Sequence, residues 1–259
     1  MNKFFEINLE ETATNIQNFI KTEVTNANFS DVVIGISGGV DSALSVTLAV
    51  RALGANHVHV CMLPYGQLNQ EGVIDANDLI QTIKIPQQNI YTINIQPSVD
   101  VLLNQLEDIT DIRKGNIMAR VRMIYLYDLA KKTKSLVLGT ENKSEHFLGY
   151  FTRFGDEASD IEPIRSLYKT QVWELAKYVG VPESIILKAP TAGLWSEQTD
   201  EKELGFTYKD ADVVLYAHFE KHMTEAEIET LGISKETIQH VLQRVNANDF
   251  KHHLPKVFS

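Results

Sequence analysis

The chain has 259 residues, 44% of them hydrophobic and 22% charged, enough for a substantial globular core. Its 34 acidic and 24 basic side chains leave a net charge of −10, which excludes a general nucleic-acid or anionic-membrane surface, because phosphate binding needs clustered Lys and Arg. The lone cysteine, Cys61, excludes an intrachain disulfide, no apolar run reaches the roughly 20 residues of a membrane span, and the N-terminal stretch turns acidic too early for a secretion signal, so a cytoplasmic protein is expected.

Residues 10–26 read as an amphipathic helix with Ile16, Phe19 and Ile20 on one face. Val32, Val33, Ile34 and Ile36 make a short buried strand, and a helix runs from Ser42 to a stop at Gly54. Residues 57–63 form a second strand, with Cys61 as filler, ending at Pro64. A helix over 71–83 leads to a strand over 90–95; residues 98–106 are helical, and a long helix over 112–132 precedes a buried strand over 135–139. Strands separated by helices make βαβ units, so the expected class is α/β, a doubly wound parallel sheet with flanking helices. Beyond residue 165 the pattern is helical, with polar loops near 191–207 and 221–224. No repeat or low-complexity linker divides residues 1–259, which read as a single domain with a helical C-terminal part.

The 112–132 helix is apolar nearly all round, through Ile117, Met118, Val121, Met123, Ile124, Tyr125 and Leu126. It needs cover on two sides, from its own sheet and from either a second subunit, the favoured reading, or more of the same core. Arg113, Asn116 and Arg120 share a narrow arc of it, which points to an anion or nucleotide.

The chemistry concentrates at strand ends. After the first strand comes Ser37-Gly38-Gly39-Val40-Asp41-Ser42, a tight glycine turn opening a helix, which holds an anion at the positive helix end. It carries no lysine, unlike an NTPase P-loop, and lacks the G-x-G-x-x-G of dinucleotide folds. Asp41 suits a magnesium ion bound to phosphate oxygens. The 135–139 strand ends in Thr140-Glu141-Asn142-Lys143-Ser144-Glu145. Glu141 and Glu145 are four apart and expected on one helix face, Glu145 reaching a metal shared with Asp41, Thr140 donating to a ribose or phosphate oxygen or merely capping the helix. Residues 149–163 form an aperiodic loop in which Phe151 or Phe154 stacks on a planar ring and Asp156 or Asp160 bonds a ribose or polarises a nucleophile. Lys169 stands at a helix start, the unfavourable end for a cation, which suggests a phosphate contact. His218 and His222 lack the H-E-x-x-H order of a zinc protease and read as exposed helix histidines.

These motifs together resemble the ammonia-dependent NAD synthetases, within the wider ATP pyrophosphatase group that shares Ser37-Gly-Gly-Val-Asp-Ser42. The more specific stretches are Lys114-Gly-Asn-Ile-Met-Ala-Arg-Val-Arg-Met123, Gly139-Thr-Glu-Asn-Lys-Ser-Glu145, Gly149-Tyr-Phe-Thr-Arg-Phe-Gly-Asp156 with Asp160, and Lys188-Ala-Pro-Thr-Ala-Gly-Leu194 followed by Glu203-Leu-Gly205. The resemblance implies adenylation of deamido-NAD by ATP and amidation by ammonia. Ser37, Gly38, Gly39, Asp41, Ser42, Thr140, Lys169 and Thr191 would serve ATP; Asp41 and Glu145 would take Mg2+; Asn116, Arg120, Phe151, Asp156 and Asp160 would serve deamido-NAD. Asp41, Glu145, Lys169 and Asp156 would carry the catalysis. It further implies a homodimer through the 112–132 helix, a closing 190–207 loop, a basic C-terminal segment at 251–255, and no nitrilase-like glutaminase domain. Met62 departs from the arginine frequent in relatives, and Glu157 from their glycine. The alternatives are another adenylating amidotransferase or thiolase, or a non-catalytic adenine-nucleotide module.

Overall fold

The computed structural model describes residues 5–195, 197–253 and 257–258. In chain order the elements are α1 (Leu9–Asn26), β1 (Asp31–Gly35), α2 (Val40–Leu53), β2 (Val58–Met62), α3 (Gln70–Thr82), β3 (Ile90–Thr92), α4 (Gln96–Leu103), α5 (Asp111–Thr133) and β4 (Ser135–Leu138). They continue as α6 (Lys143–Leu148), α7 (Lys169–Tyr178), α8 (Glu183–Ile186), α9 (Asp200–Leu204), α10 (Tyr208–Leu215), α11 (Glu225–Glu229) and α12 (Lys235–Asn248).

The four strands are parallel, in the order β3-β2-β1-β4, with Val33 paired to His59 on one side and Val137 on the other. Successive strand residues face opposite layers. Val32, Ile34, Val58, Val60 and Leu138 join the core made with α1, α2, α3 and α7; Val33, Cys61 and Val137 join the core made with α4 and α5. This is the doubly wound arrangement read from the sequence. Burial on both faces explains why the strands are continuous apolar runs rather than alternating ones. Residues 42–49 of α2 are all buried, because α2 lies between the sheet and a layer of α1 and α7. Each fully buried aliphatic there contributes about 1.5–3 kcal/mol. A third apolar cluster, around Leu148, Tyr208, Leu215, Ile228 and Val241, joins α6 to the helical C-terminal part.

Several boundaries differ from the sequence reading. The third strand keeps only three residues of 90–95, and the following helix starts at Gln96 and ends at Leu103 rather than spanning 98–106. Phe19 is 42% exposed; the buried stripe of α1 is Ala13, Ile16, Ile20 and Val24. The polar 191–207 stretch contains the short helix α9. Residues 216–220 wind as a π-turn, and His222 follows it with φ +55°, so His218 and His222 do not share an α-helical face.

The chain lays down β1, β2 and β3 in one direction, then returns to place β4 on the other side of β1. The loops after β1 and β4 therefore diverge from adjacent strand ends. A ligand crevice forms at such a reversal.

Candidate active site

The loop after β1 has the shape of an anion cradle. Gly38 has φ +82°, and a Cβ there would lie 2.2 Å from the Gly72 carbonyl oxygen at the start of α3, so only glycine fits. Ser42 Oγ donates to the Gly39 carbonyl at 3.0 Å and accepts from the Ser37 N–H at 3.4 Å, closing the turn. Gly39 is the N-cap of α2 and offers no capping side chain, which leaves the first N–H groups of a 14-residue helix for an anion.

Beside the cradle, residues distant in the chain converge. Lys169 Nζ donates to Asp41 Oδ2 at 2.6 Å and to Glu145 Oε1 at 2.9 Å. Asn142 Nδ2 donates to the other Asp41 oxygen at 2.8 Å, while the Asn142 side chain caps α6 by accepting from Glu145 N–H at 3.0 Å. The Lys169 side chain is only 3% exposed. Burial works against its charge, but Asp41, Glu145 and Asp200 outweigh that and hold the ammonium above the ordinary lysine range. Burial lifts the Glu145 carboxyl more than Lys169 lowers it, and Asp41 and Asp200 add to the rise. Two carboxylates aimed at one cationic point fit a magnesium ion that takes its remaining ligands from phosphate and water. No group of three or more His, Cys, Asp or Glu side chains able to hold a metal occurs among the described residues.

The cradle opens into a cleft of about 570 Å³. Of the sequence-predicted residues, Ser37, Gly38, Gly39, Asp41, Ser42, Asn116, Thr140, Glu145, Phe151, Asp156, Lys169 and Thr191 all line it. Thr152 ties the far wall together: its N–H donates to Asp156 Oδ1 at 3.0 Å and its hydroxyl to Asn116 Oδ1 at 2.8 Å. Surrounding protein pushes the Asp156 carboxyl above the ordinary aspartate range, although its edge opens to the cleft. Lys251 lines the cleft and donates to the carbonyls of Gly149 and Phe151 at 2.6 and 3.0 Å; burial lowers its ammonium. Leu254 and Pro255 of the expected basic segment lie outside the described residues.

The family-model comparison matches residues 12–255 to NAD synthase. The chain belongs to the NAD synthase family. It is 39% identical to an NH(3)-dependent NAD(+) synthetase of Fusobacterium nucleatum over 99% of this chain and 98% of that one. Among solved structures, the NMN synthetase of Francisella tularensis aligns with TM-score 0.85 and 36% identity, covering 97% of this chain and 99% of that one. The NH3-dependent NAD synthetase of Campylobacter jejuni aligns with TM-score 0.83 and 33% identity, covering 98% and 100%.

Not every sequence-predicted residue of this NAD synthase family member meets at the cleft. Arg120 is exposed on α5 and donates to the Arg153 carbonyl at 3.2 Å. Asp160 Oδ2 accepts from Val137 N–H at 2.7 Å, fixing the strand-like return at Ile161 that bridges to Leu138. Arg113 turns back to the carbonyls of Glu107 and Asp108. Phe154 is 55% exposed, whereas Phe151 is the buried aromatic of the pair. Glu141 precedes α6 and does not share a face with Glu145; its carboxylate is buried against Arg165 and His146. The α6 cap is Asn142, not Thr140. Asn142 was legible as the start of an N-x-x-E capping box. The sequence reading singled out neither of two further cleft residues: Asp200 on α9, and Arg122 on α5, which falls inside the Lys114–Met123 stretch. The Arg122 Nε donates to the Leu63 carbonyl at 3.1 Å, and burial lowers its guanidinium to about 10.

Proposed function

We propose that this cleft adenylates the nicotinate carboxylate of deamido-NAD with ATP and then amidates it with ammonia, giving NAD, AMP and pyrophosphate. The observation that carries the reading is the convergence of Asp41, Glu145 and Lys169 beside a lysine-free glycine cradle. The α2 N-terminus and the hydroxyls of Ser37 and Ser42 receive the departing pyrophosphate. Asp41 and Glu145 would hold magnesium, whose charge neutralises that leaving group. Lys169 stabilises charge on the phosphate under attack, and Thr140 and Thr191 orient the nucleotide. Asn116 and Phe151 position the pyridine nucleotide, and Asp156, with its raised affinity for protons, relieves the incoming nitrogen of one.

A thiolase reading lacks a nucleophile: Cys61 is fully buried, and burial pushes its thiol up to about 12. The likeness to an NMN synthetase supports a second reading in which a mononucleotide is the acceptor. The assay supplies ATP, magnesium and ammonium with either deamido-NAD or nicotinate mononucleotide and measures AMP and the amidated product. Faster turnover of the mononucleotide would replace the dinucleotide reading. Asp41→Ala is expected to abolish ATP–pyrophosphate exchange; full exchange in that variant would remove the metal assignment.

The dimer is also part of this proposal. Ile124 on α5 and Val101 on α4 are 59% and 60% exposed, apolar side chains suited to contact with a second copy. Arg120 and Asp160 would then meet a substrate at the seam between copies rather than within one chain. No described helix is long and apolar enough to cross a membrane, and a cytoplasmic, single-domain enzyme completes the reading.

A further inference from the structure

Lys169 is held from two directions. Asp41 and Glu145 hold its ammonium on the cradle side. Its ammonium also lies over the ring of Tyr208, whose centroid is 5.1 Å from Lys169 Nζ and whose side chain is fully buried. The Tyr208 hydroxyl donates to Asp200 Oδ2 at 3.2 Å, and the Tyr150 hydroxyl donates to Asp200 Oδ1 at 3.1 Å. Asp200 is 3% exposed, so both its oxygens are fixed in a dry setting. Its N–H donates to the Pro190 carbonyl at 2.9 Å, which fixes the backbone as well.

A buried carboxylate with no formal cation in hydrogen-bond contact is costly and needs a compensating charge nearby. The charge that compensates Asp200 is Lys169, and the two stabilise each other's ionised form. A phenol that donates to a carboxylate also gains electron density in its ring, which strengthens the attraction of the ring face for an ammonium. The Asp200–Tyr208 pair is therefore a negative wall behind the lysine. With Asp41 and Glu145 engaged by a metal, that wall would remain to orient the ammonium.

We propose that Asp200 is a positioning residue for the adenylation step, fixing Lys169 from behind through Tyr208 so that its ammonium points at the reacting phosphate. The inference rests on the reading of Lys169 as the phosphate contact. It predicts an effect on turnover rather than on nucleotide affinity, because Asp200, with both oxygens held by tyrosine hydroxyls, acts through the direction of a cation.

The test compares the full-length parent with Asp200→Asn, Tyr208→Phe and Lys169→Met. ATP–pyrophosphate exchange in Asp200→Asn should lose about 10–100-fold in kcat with KM for ATP within about threefold. Tyr208→Phe keeps the ring and removes the hydroxyl, so a smaller loss of the same kind is expected. A second readout needs no turnover: amine acetylation of the nucleotide-free protein, mapped by mass spectrometry. Lys169 should label about tenfold faster in Asp200→Asn, with Lys143 and Lys188 unchanged as internal controls. Parent-like kcat and parent-like Lys169 labelling in Asp200→Asn would overturn the positioning role, as would a KM rise that accounts for the whole loss. If Lys169→Met exchanges at the parent rate, the underlying reading of Lys169 fails too; if only Lys169→Met is inactive, the role of Asp200 alone is lost.

Discussion

Replacing Asn142 by alanine removes the joint between Asp41 and Glu145, the two carboxylates proposed to hold the metal. Asn142 is fully buried; its amide donates to Asp41 at 2.8 Å and its carbonyl oxygen accepts from Glu145 N–H at 3.0 Å. A hydrogen bond to a charged acceptor is worth about 1.5–3 kcal/mol, and loss of an Asn cap costs about 1 kcal/mol. The expected destabilisation is about 2.5–4 kcal/mol, or a Tm drop of about 5–15 °C for a chain of this size. Urea and thermal unfolding measure it, and ATP–pyrophosphate exchange reads the effect on the site, where the freed Asp41 should cost a further large fraction of the rate. Asn142→Asp separates the two roles. It keeps a capping acceptor, so part of the stability returns, but it sets a carboxylate against Asp41, so exchange should stay low. An alanine variant within about 0.5 kcal/mol of the parent, or an aspartate variant that exchanges at the parent rate, would refute the argument.

Burial raises the Glu162 carboxyl from 4.5 to about 7, with Ser159 and Arg165 opposing the shift. Its folded-state value thus lies above its unfolded value, so its contribution to stability is fully present below about 4.5 and is lost as pH rises through about 7, a change of about 3 kcal/mol. Glu162→Gln stays neutral, and its urea stability should lack that decline between pH 5 and 8; superimposable profiles for parent and variant would remove it. Ile124→Glu puts a charge on the exposed face of α5 and should convert a dimer to a monomer in sedimentation, whereas a monomeric parent would end the dimer reading.

What was legible in the sequence is what local geometry dictates. The cradle could be read because the tight turn needs a positive φ at Gly38, a requirement written in the local Ser-Gly-Gly sequence, while the close approach of Gly72 appears only in the fold. β1, β2 and β4 showed as apolar runs because both faces of the sheet are covered there, whereas β3 at the edge is only half-buried. The cover of α5 by its own sheet could be read, since Met118 and Val121 are buried, while Ile112 and Ile124 stand exposed and await the proposed second copy. Misreadings came where tertiary contacts override spacing. Glu141 and Glu145 are four apart, yet α6 begins only at Lys143, so the helical spacing does not apply to Glu141. Phe19 fits the stripe of α1 by its spacing, but α1 already fills its contact with α2 through Ile16 and Ile20.

The site itself depends on strand order, which no local pattern encodes. Asn142 reaches Asp41 across 101 residues, and Lys169 reaches it across 128. Both contacts exist because β4 pairs with β1 rather than with β3. Had the chain added β4 beyond β3, two strands would separate the loop after β4 from the loop after β1. Strands lie about 4.8 Å apart, so such a placement would carry Glu145 roughly 10–15 Å from the cradle, too far to share one cation with Asp41. The switch in strand order that sends β4 back beside β1 is therefore as much a part of the chemistry as the carboxylates themselves. Substitutions that weaken the β1–β4 pairing should separate the halves of the site without touching any residue that lines it.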